Sequence, residues 1–144
     1  LKAREQEKIK GSLGVKNNQE LFFSYIGYHS KICSEKEEVP IKDIEGEKVC
    51  LVTGIANPTP LANFLTRQNI NFEHLEFPDH HNFYPKDLER IAKAPLIITT
   101  EKDYMRLKDL FSHQALFYLP MKMKFLNNAL KFDNLIEEFI RNEK

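Results

Sequence analysis

Three short apolar runs constrain this chain of 144 residues more than any other feature, because each ends in small or polar residues and leads into a helix-like pattern. Val49–Thr53 leads into Gly54-Ile55-Ala56-Asn57-Pro58, Phe72–Phe77 into Pro78-Asp79-His80-His81, and Leu96–Thr99 into Thr100-Glu101-Lys102-Asp103. Strands that alternate with helices build a parallel sheet covered on both faces. Open sheets of this kind bind ligands beyond the carboxyl ends of their strands. Three polar strand ends therefore imply one shared rim, and that rim is the candidate site.

The helices between the strands carry their own signals. Thr59-Pro60 reads as a hydroxyl cap with Pro at the first helical position, and Leu61, Phe64 and Leu65 follow at helical spacing. Pro85 opens a helix carrying Leu88, Ile91 and Ala92, although Tyr84 stands where a Ser or Thr cap is usual. Thr100 caps the next helix, and Asp103 three residues on resembles the far half of a capping box. Ala115–Leu119 is a fourth strand. Phe132, Leu135, Ile136, Phe139 and Ile140 form an apolar helical stripe, with Asp133 as the cap.

Upstream, residues 1–12 read as a polar helix ending at Gly11 or Gly14, and Glu20–Tyr28 as an aromatic strand. Pro40 leads into a second extended piece near Ile41–Ile44. Residues 20–45 are thus expected to form a two-stranded arm or linker outside the core. The expected class is α/β: a three-layer α/β/α lobe with a mostly parallel sheet over residues 46–144, and an N-terminal β arm within residues 1–45. Leu1 lies inside a helix-like pattern, so a piece of a longer protein is expected.

Composition narrows the function. The 21 basic and 21 acidic residues balance to +0, whereas a nucleic-acid partner needs a basic surface. No apolar run approaches the length of a membrane span, and the N-terminus lacks the apolar stretch of a signal peptide. Cys33 and Cys50 make neither a metal site nor a disulfide framework, and a reducing cytoplasmic compartment is the simple reading.

The chemistry concentrates in Asp79-His80-His81. Histidine changes charge near neutral pH and serves in proton transfer, in orienting a substrate or in metal ligation. The competing reading is a solvated turn with incidental histidines. Adjacent residues do not easily face one centre, so at most one of the two imidazoles is expected to be functional. The same three letters occur in metal-dependent phosphoesterases, but a two-metal site needs several converging carboxylates, and this region supplies one. Gly54 permits a tight turn before a helix N-terminus that can bind an anion. No Gly is followed by Lys-Ser or Lys-Thr, so the chain contains no P-loop. Lys102 is placed to contact a phosphate or sugar, or equally to pair with Asp79 or Asp103. His29, His74 and His113 are scattered and read as incidental.

In order and spacing, the segments Val52–Pro58, Phe77-Pro78-Asp79-His80 and Thr100–Asp103, preceded by Leu21–Tyr28, resemble the C-terminal part of the tetraacyldisaccharide 4'-kinase family. The resemblance implies transfer of the γ-phosphate of ATP, with magnesium, to the 4'-hydroxyl of a lipid A disaccharide precursor at the cytoplasmic face of the inner membrane. It implies two α/β/α lobes joined by a β linker. The N-terminal P-loop lobe would hold the nucleotide, the metal and a membrane-associating segment. It assigns catalysis in this lobe to His80, paired with an aspartate base from the other lobe; beside it, Asp79 is expected to orient His80 or the loop. Gly54, Asn57, Thr100 and Lys102 are the substrate-contacting candidates, no metal ligand is expected here, and the lobe alone is expected to be inactive. An arm exposing Phe22, Phe23, Tyr25 and Tyr28 is expected to favour self-association. The alternatives are a stand-alone α/β binding module and, ranked lower, a metal-dependent phosphoesterase.

Overall fold

Strand β4 (Val49–Thr53) is buried at every residue, and a six-stranded sheet extends on both sides of it. The structure, a computed structural model, describes residues 1–110 and 115–143. The sheet also contains β2 (Lys31–Cys33), β3 (Glu38–Pro40), β5 (Phe72–Glu76), β6 (Leu96–Thr99) and β7 (Leu116–Tyr118), in the order β3-β2-β7-β6-β4-β5. Strands β5, β4, β6 and β7 are parallel, and β2 and β3 continue the sheet antiparallel. Helices α2 (Thr59–Arg67), α3 (Pro85–Ile91) and α4 (Glu101–Leu107) connect the parallel strands. The expected α/β class with a mostly parallel sheet is what the chain adopts.

Side-chain alternation along β4 divides the core. Val49 and Leu51 join Leu61 and Leu65 of α2 on one face, while Cys50 and Val52 meet Ile91 of α3 and Leu107 of α4 on the other. A two-residue period sends neighbours to opposite faces, and each fully buried aliphatic side chain contributes about 1.5–3 kcal/mol. Burial pushes the Cys50 thiol up to about 11, which keeps it an unreactive core residue. Helix α2 stops where Asn69 turns left-handed at φ 59°. There the Asn69 and Ile70 amides donate to the Thr66 and Leu65 carbonyls, closing the helix as a left-handed cap does.

Contacts divide the chain into two units, residues 28–122 and residues 1–27 with the described residues from Met123 onward. This departs from the expected division at residue 45. Residues 28–45 are not an arm: β2 and β3 extend the main sheet, and Ile32, Ile41 and Ile44 are buried in its core. The two-stranded sheet instead pairs β1 (Ser24–Tyr28) with β8 (Met121–Phe125).

In the other unit, α1 (Ala3–Leu13) buries no residue and ends at Gly14, whose φ of 60° suits a residue without a side chain. Helix α5 (Ala129–Asn142) begins after Asn128, so Asp133 lies inside it rather than capping it. Phe132 packs edge-on against Phe22 at 5.2 Å and at a tilt against Phe125 at 4.7 Å. Leu135, Ile136, Phe139 and Ile140 are exposed. Of the four aromatics expected to be exposed, only Tyr25 is so.

The placement of β2 is testable. Ile32 has no exposed surface, so Ile32→Ala should cost about 2–5 kcal/mol in urea unfolding. Lys42→Ala, at an exposed position, should stay within about 0.5 kcal/mol. Equal, small effects would return β2 to the status of a loose arm.

Candidate functional site

Parallel pairing brings the three polar strand ends together. Thr53 lies opposite Glu76, and Val52 opposite Thr99, so the loops after β4, β5 and β6 emerge side by side. Strand β4 connects through α2 to β5, while β6 connects through α4 to β7 on the other side. The strand order therefore reverses between β4 and β6, the place where open sheets leave a crevice for ligands.

That crevice is occupied by the chain itself. Asp103, with no exposed surface, accepts the Gly54 amide at 2.8 Å and the Thr100 hydroxyl at 2.9 Å, both on Oδ2. Thr100 Oγ1 in turn accepts the Asp103 amide at 3.1 Å, the expected N-cap bond. Asp103 Oδ1 faces Arg106 Nη1 at 3.5 Å, and neither atom has a hydrogen-bonding partner among the described residues. A Cβ on residue 54 would stand 3.1 Å from Asp103 Oδ1, so only glycine fits there without displacing the carboxylate. The polar groups of Gly54 and Thr100 are thus committed to a buried anion, which would repel a phosphate entering between β4 and β6.

The Pro78–His81 segment is a tight turn, with the His81 amide donating to the Pro78 carbonyl at 3.1 Å. His80 sits at its third position with φ 60°, where glycine or asparagine is usual. A larger residue held there costs about 1–3 kcal/mol, and such strain concentrates at functional sites. The His80 side chain is 79% exposed, with Nε2 3.5 Å from Asp79 Oδ2. Lys102 Nζ donates to Asp79 Oδ1 at 2.9 Å, and the His80 amide donates to the same oxygen at 3.0 Å. The Lys102 hydrogen bond holds the Asp79 carboxyl below the ordinary carboxylate range, with the nearby His80 adding to the effect. Lys102, Asp79 and His80 therefore form one solvent-facing cluster across two of the three loops.

His81 behaves differently. Its ring stacks on Phe77 at 4.8 Å, and its Nε2 lies 2.9 Å from Asp87 Oδ2. Asp87 also accepts the Tyr84 amide at 2.9 Å, which serves the N-terminus of α3 without a cap from the Tyr84 side chain. The His81 bond, followed by the Tyr84 amide, lowers the Asp87 carboxyl. One histidine is exposed and the other packed. No sequence signal marked Asp87 or Arg106 as partners of this loop.

Asn57 lies exposed before α2, and its Oδ1 accepts the Thr59 amide at 3.3 Å. The cap position is Pro58, so Thr59 is the first helical residue and its hydroxyl makes no cap bond. His74 Nε2 lies 2.8 Å from Thr53 Oγ1 on the sheet, His29 is exposed, and His113 lies outside the described residues. A shallow depression of about 430 Å³ lies between the loops after β4 and β5, lined by Ile55, Ala56, Phe77 and Asp79 among others. A wider one of about 760 Å³ opens at the opposite edge, near Lys48, Asn71 and Arg90, and holds none of the motif residues. Chemistry and strain both favour the rim. Among the described residues, no three His, Cys, Asp or Glu side chains converge as a metal site would require.

Residues 2–141 match the model of a family described as tetraacyldisaccharide-1-P 4'-kinase. The chain is similar to the tetraacyldisaccharide 4'-kinase of Flavobacterium johnsoniae, at 41% identity over 144 residues, covering 98% of this chain and 42% of that protein. The corresponding protein of Flavobacterium psychrophilum is 40% identical over 140 residues, covering 94% and 40%. A crystal structure of the "apo" form of LpxK from Aquifex aeolicus, in complex with ATP, shares the fold with a TM-score of 0.58 at 22% identity. That likeness covers 86% of this chain and 38% of the other. The chain thus spans about two fifths of the length of the curated relatives it matches.

Two outcomes test the site's construction. Gly54→Ala should destabilise the chain by about 1–3 kcal/mol in urea unfolding, because the new methyl crowds Asp103. The second concerns acid. The folded Asp87 carboxyl titrates below its ordinary 3.8, so it binds fewer protons folded than unfolded. Its stabilising contribution is complete above that value and is lost as pH falls through the lowered one. Asp87→Asn should therefore lose less stability than the unaltered chain between about pH 5 and about pH 3. An identical acid slope would remove the His81–Asp87 bond from the account.

Proposed function

The chain belongs to the tetraacyldisaccharide-1-P 4'-kinase family, and from that premise we propose that it forms part of an enzyme moving the γ-phosphate of ATP to the 4'-hydroxyl of a lipid A disaccharide precursor. The observation that carries the reading is His80: an exposed imidazole held at positive φ on the C-terminal rim of a parallel sheet, braced by Asp79 and Lys102. Phosphoryl transfer needs positioning and charge stabilisation more than covalent help from the protein. In this reading, His80 hydrogen-bonds either the attacking hydroxyl or the carboxylate that takes its proton. Asp79 orients the imidazole, and Lys102 holds Asp79 charged. Lys102 and Asn57 face solvent and are the substrate-contacting candidates, while Gly54 and Thr100 act through Asp103.

The nucleotide and its magnesium are assigned to the remainder of the enzyme. The crevice of this sheet is filled by a buried carboxylate, and the rim's acids are already engaged by Lys102, Gly54, Thr100 and Arg106. These residues do not fit a magnesium site. Among the described residues, no helix is long and apolar enough to cross a membrane. We place the enzyme peripherally at the cytoplasmic face of the inner membrane, where its lipid substrate would reside. The exposed stripe of α5 and Tyr25 favour self-association of the chain by itself.

His80 gives the decisive test. In the full-length enzyme, His80→Ala should lower kcat by about 10²–10⁴ with the fold retained. His80→Gly should lower kcat similarly while raising stability by about 1 kcal/mol, since glycine accepts positive φ without strain. An unchanged kcat in either variant removes His80 from the mechanism. Residues 1–144 alone should show no ATP turnover and no tight ATP binding by calorimetry, and tight binding would instead favour an independent nucleotide module.

A further inference from the structure

We propose that Arg106 is a positioning residue for the transfer assigned above: its guanidinium clamps the His81 carbonyl and so keeps His80 in its left-handed turn. The proposal rests on the reading of His80 given above.

Arg106 lies on α4, outside the three motifs, with 30% of its side chain exposed. One Nη2 hydrogen bond reaches across to the His81 carbonyl. Nη1 faces the buried Asp103 carboxylate at 3.5 Å, and the guanidinium lies over the Phe83 ring at 5.0 Å. The cation therefore touches a carbonyl, a carboxylate and an aromatic face in one arrangement. A planar fork can serve two acceptors at once, which a lysine ammonium on a flexible stem does less well.

These contacts matter because the turn is strained. A non-glycine residue at φ 60° relaxes to negative φ unless its flanks are held. The upstream flank is held by the Phe77 amide, which donates to the Thr53 carbonyl at 2.7 Å. The downstream flank is His81, whose ring is fixed by Phe77 and Asp87 and whose carbonyl is fixed by Arg106. The His81 amide closes the turn on the Pro78 carbonyl, whereas the His81 carbonyl belongs to the next peptide plane, toward Asn82. Ring contacts alone leave that next plane free to rotate and to draw the closing amide away from Pro78. Arg106 stops that rotation. Through Asp103 it also ties the turn to the Gly54 amide, so one side chain links all three rim loops. The Asp79–Lys102 bond fixes the side-chain face of the turn, and Arg106 fixes its backbone.

The test is a double-mutant cycle in the full-length enzyme with Arg106→Lys and His80→Ala. Arg106→Lys keeps a cation opposite Asp103 but gives up the two-acceptor geometry. We expect kcat to fall by about 10- to 100-fold with the KM for ATP nearly unchanged, and expect that loss to shrink to less than about twofold in the His80→Ala background. The same factor in both backgrounds, or no loss in the unaltered background, overturns the role of Arg106 and leaves His80 standing. A His80→Ala variant with unchanged kcat instead sinks the reading of His80. One measurement needs no substitution and covers the case in which the variants fail to fold. The Arg106 guanidinium of the unaltered protein should give separate, slowly exchanging Nη1 and Nη2 resonances. A single averaged resonance overturns the clamp.

Discussion

The carboxylate of Asp103 is the contact on which the rim depends. A buried charge is tolerated only where paired and hydrogen-bonded, and this one draws its partners from three places: the Gly54 amide after β4, the Thr100 hydroxyl at the start of α4, and Arg106 a turn later. Each partner adds a constraint. Gly54 can carry no side chain, Thr100 must supply a hydroxyl, and α4 must start in register with the end of β4. The reversal of strand order between β4 and β6, a ligand crevice in other doubly wound sheets, is closed here by protein atoms. Available chemistry is thereby displaced from the centre of the rim to the β5 loop.

On that loop, two adjacent histidines divide the labour. His81 is fastened by its ring to Phe77 and Asp87 and anchors the turn, while His80 projects into solvent from a strained backbone. Identical side chains acquire opposite environments because a tight turn sends consecutive residues in different directions. Bracing comes from both sides: Lys102 through Asp79, and Arg106 through the His81 carbonyl.

The layered fold was legible because β4 and β6 are short apolar runs, β5 carries Phe72 and Leu75 between polar residues, and helical periods lie between them. Strands β2 and β3 were not, because three residues are too few to display a period, and β2 joins the sheet through the distant β7 while β3 follows on β2. Strand β8, Met121–Phe125, alternates apolar and lysine residues, a pattern as consistent with a solvated loop as with a ribbon. The caps of α2 and α5 were misplaced by one residue and by five, since Pro58 and Asn128 enter those helices through backbone geometry rather than a side-chain bond. At the site, the Thr100–Asp103 spacing announced a cap, but nothing local told that the carboxylate would turn inward to the Gly54 amide. Arg106 left no mark as a partner of the β5 loop, because what it holds there is a carbonyl, a group every residue has.

The Pro78–His81 turn carries a further consequence for encounter with any molecule at this rim. Its peptide planes are already fixed on both flanks, so the imidazole retains only the rotation of its own two bonds. Engagement then orders one side chain, at about 0.5–1.5 kcal/mol, instead of a whole loop whose every residue would cost about as much again. The entropy of assembling that surface was surrendered earlier, when the sheet formed.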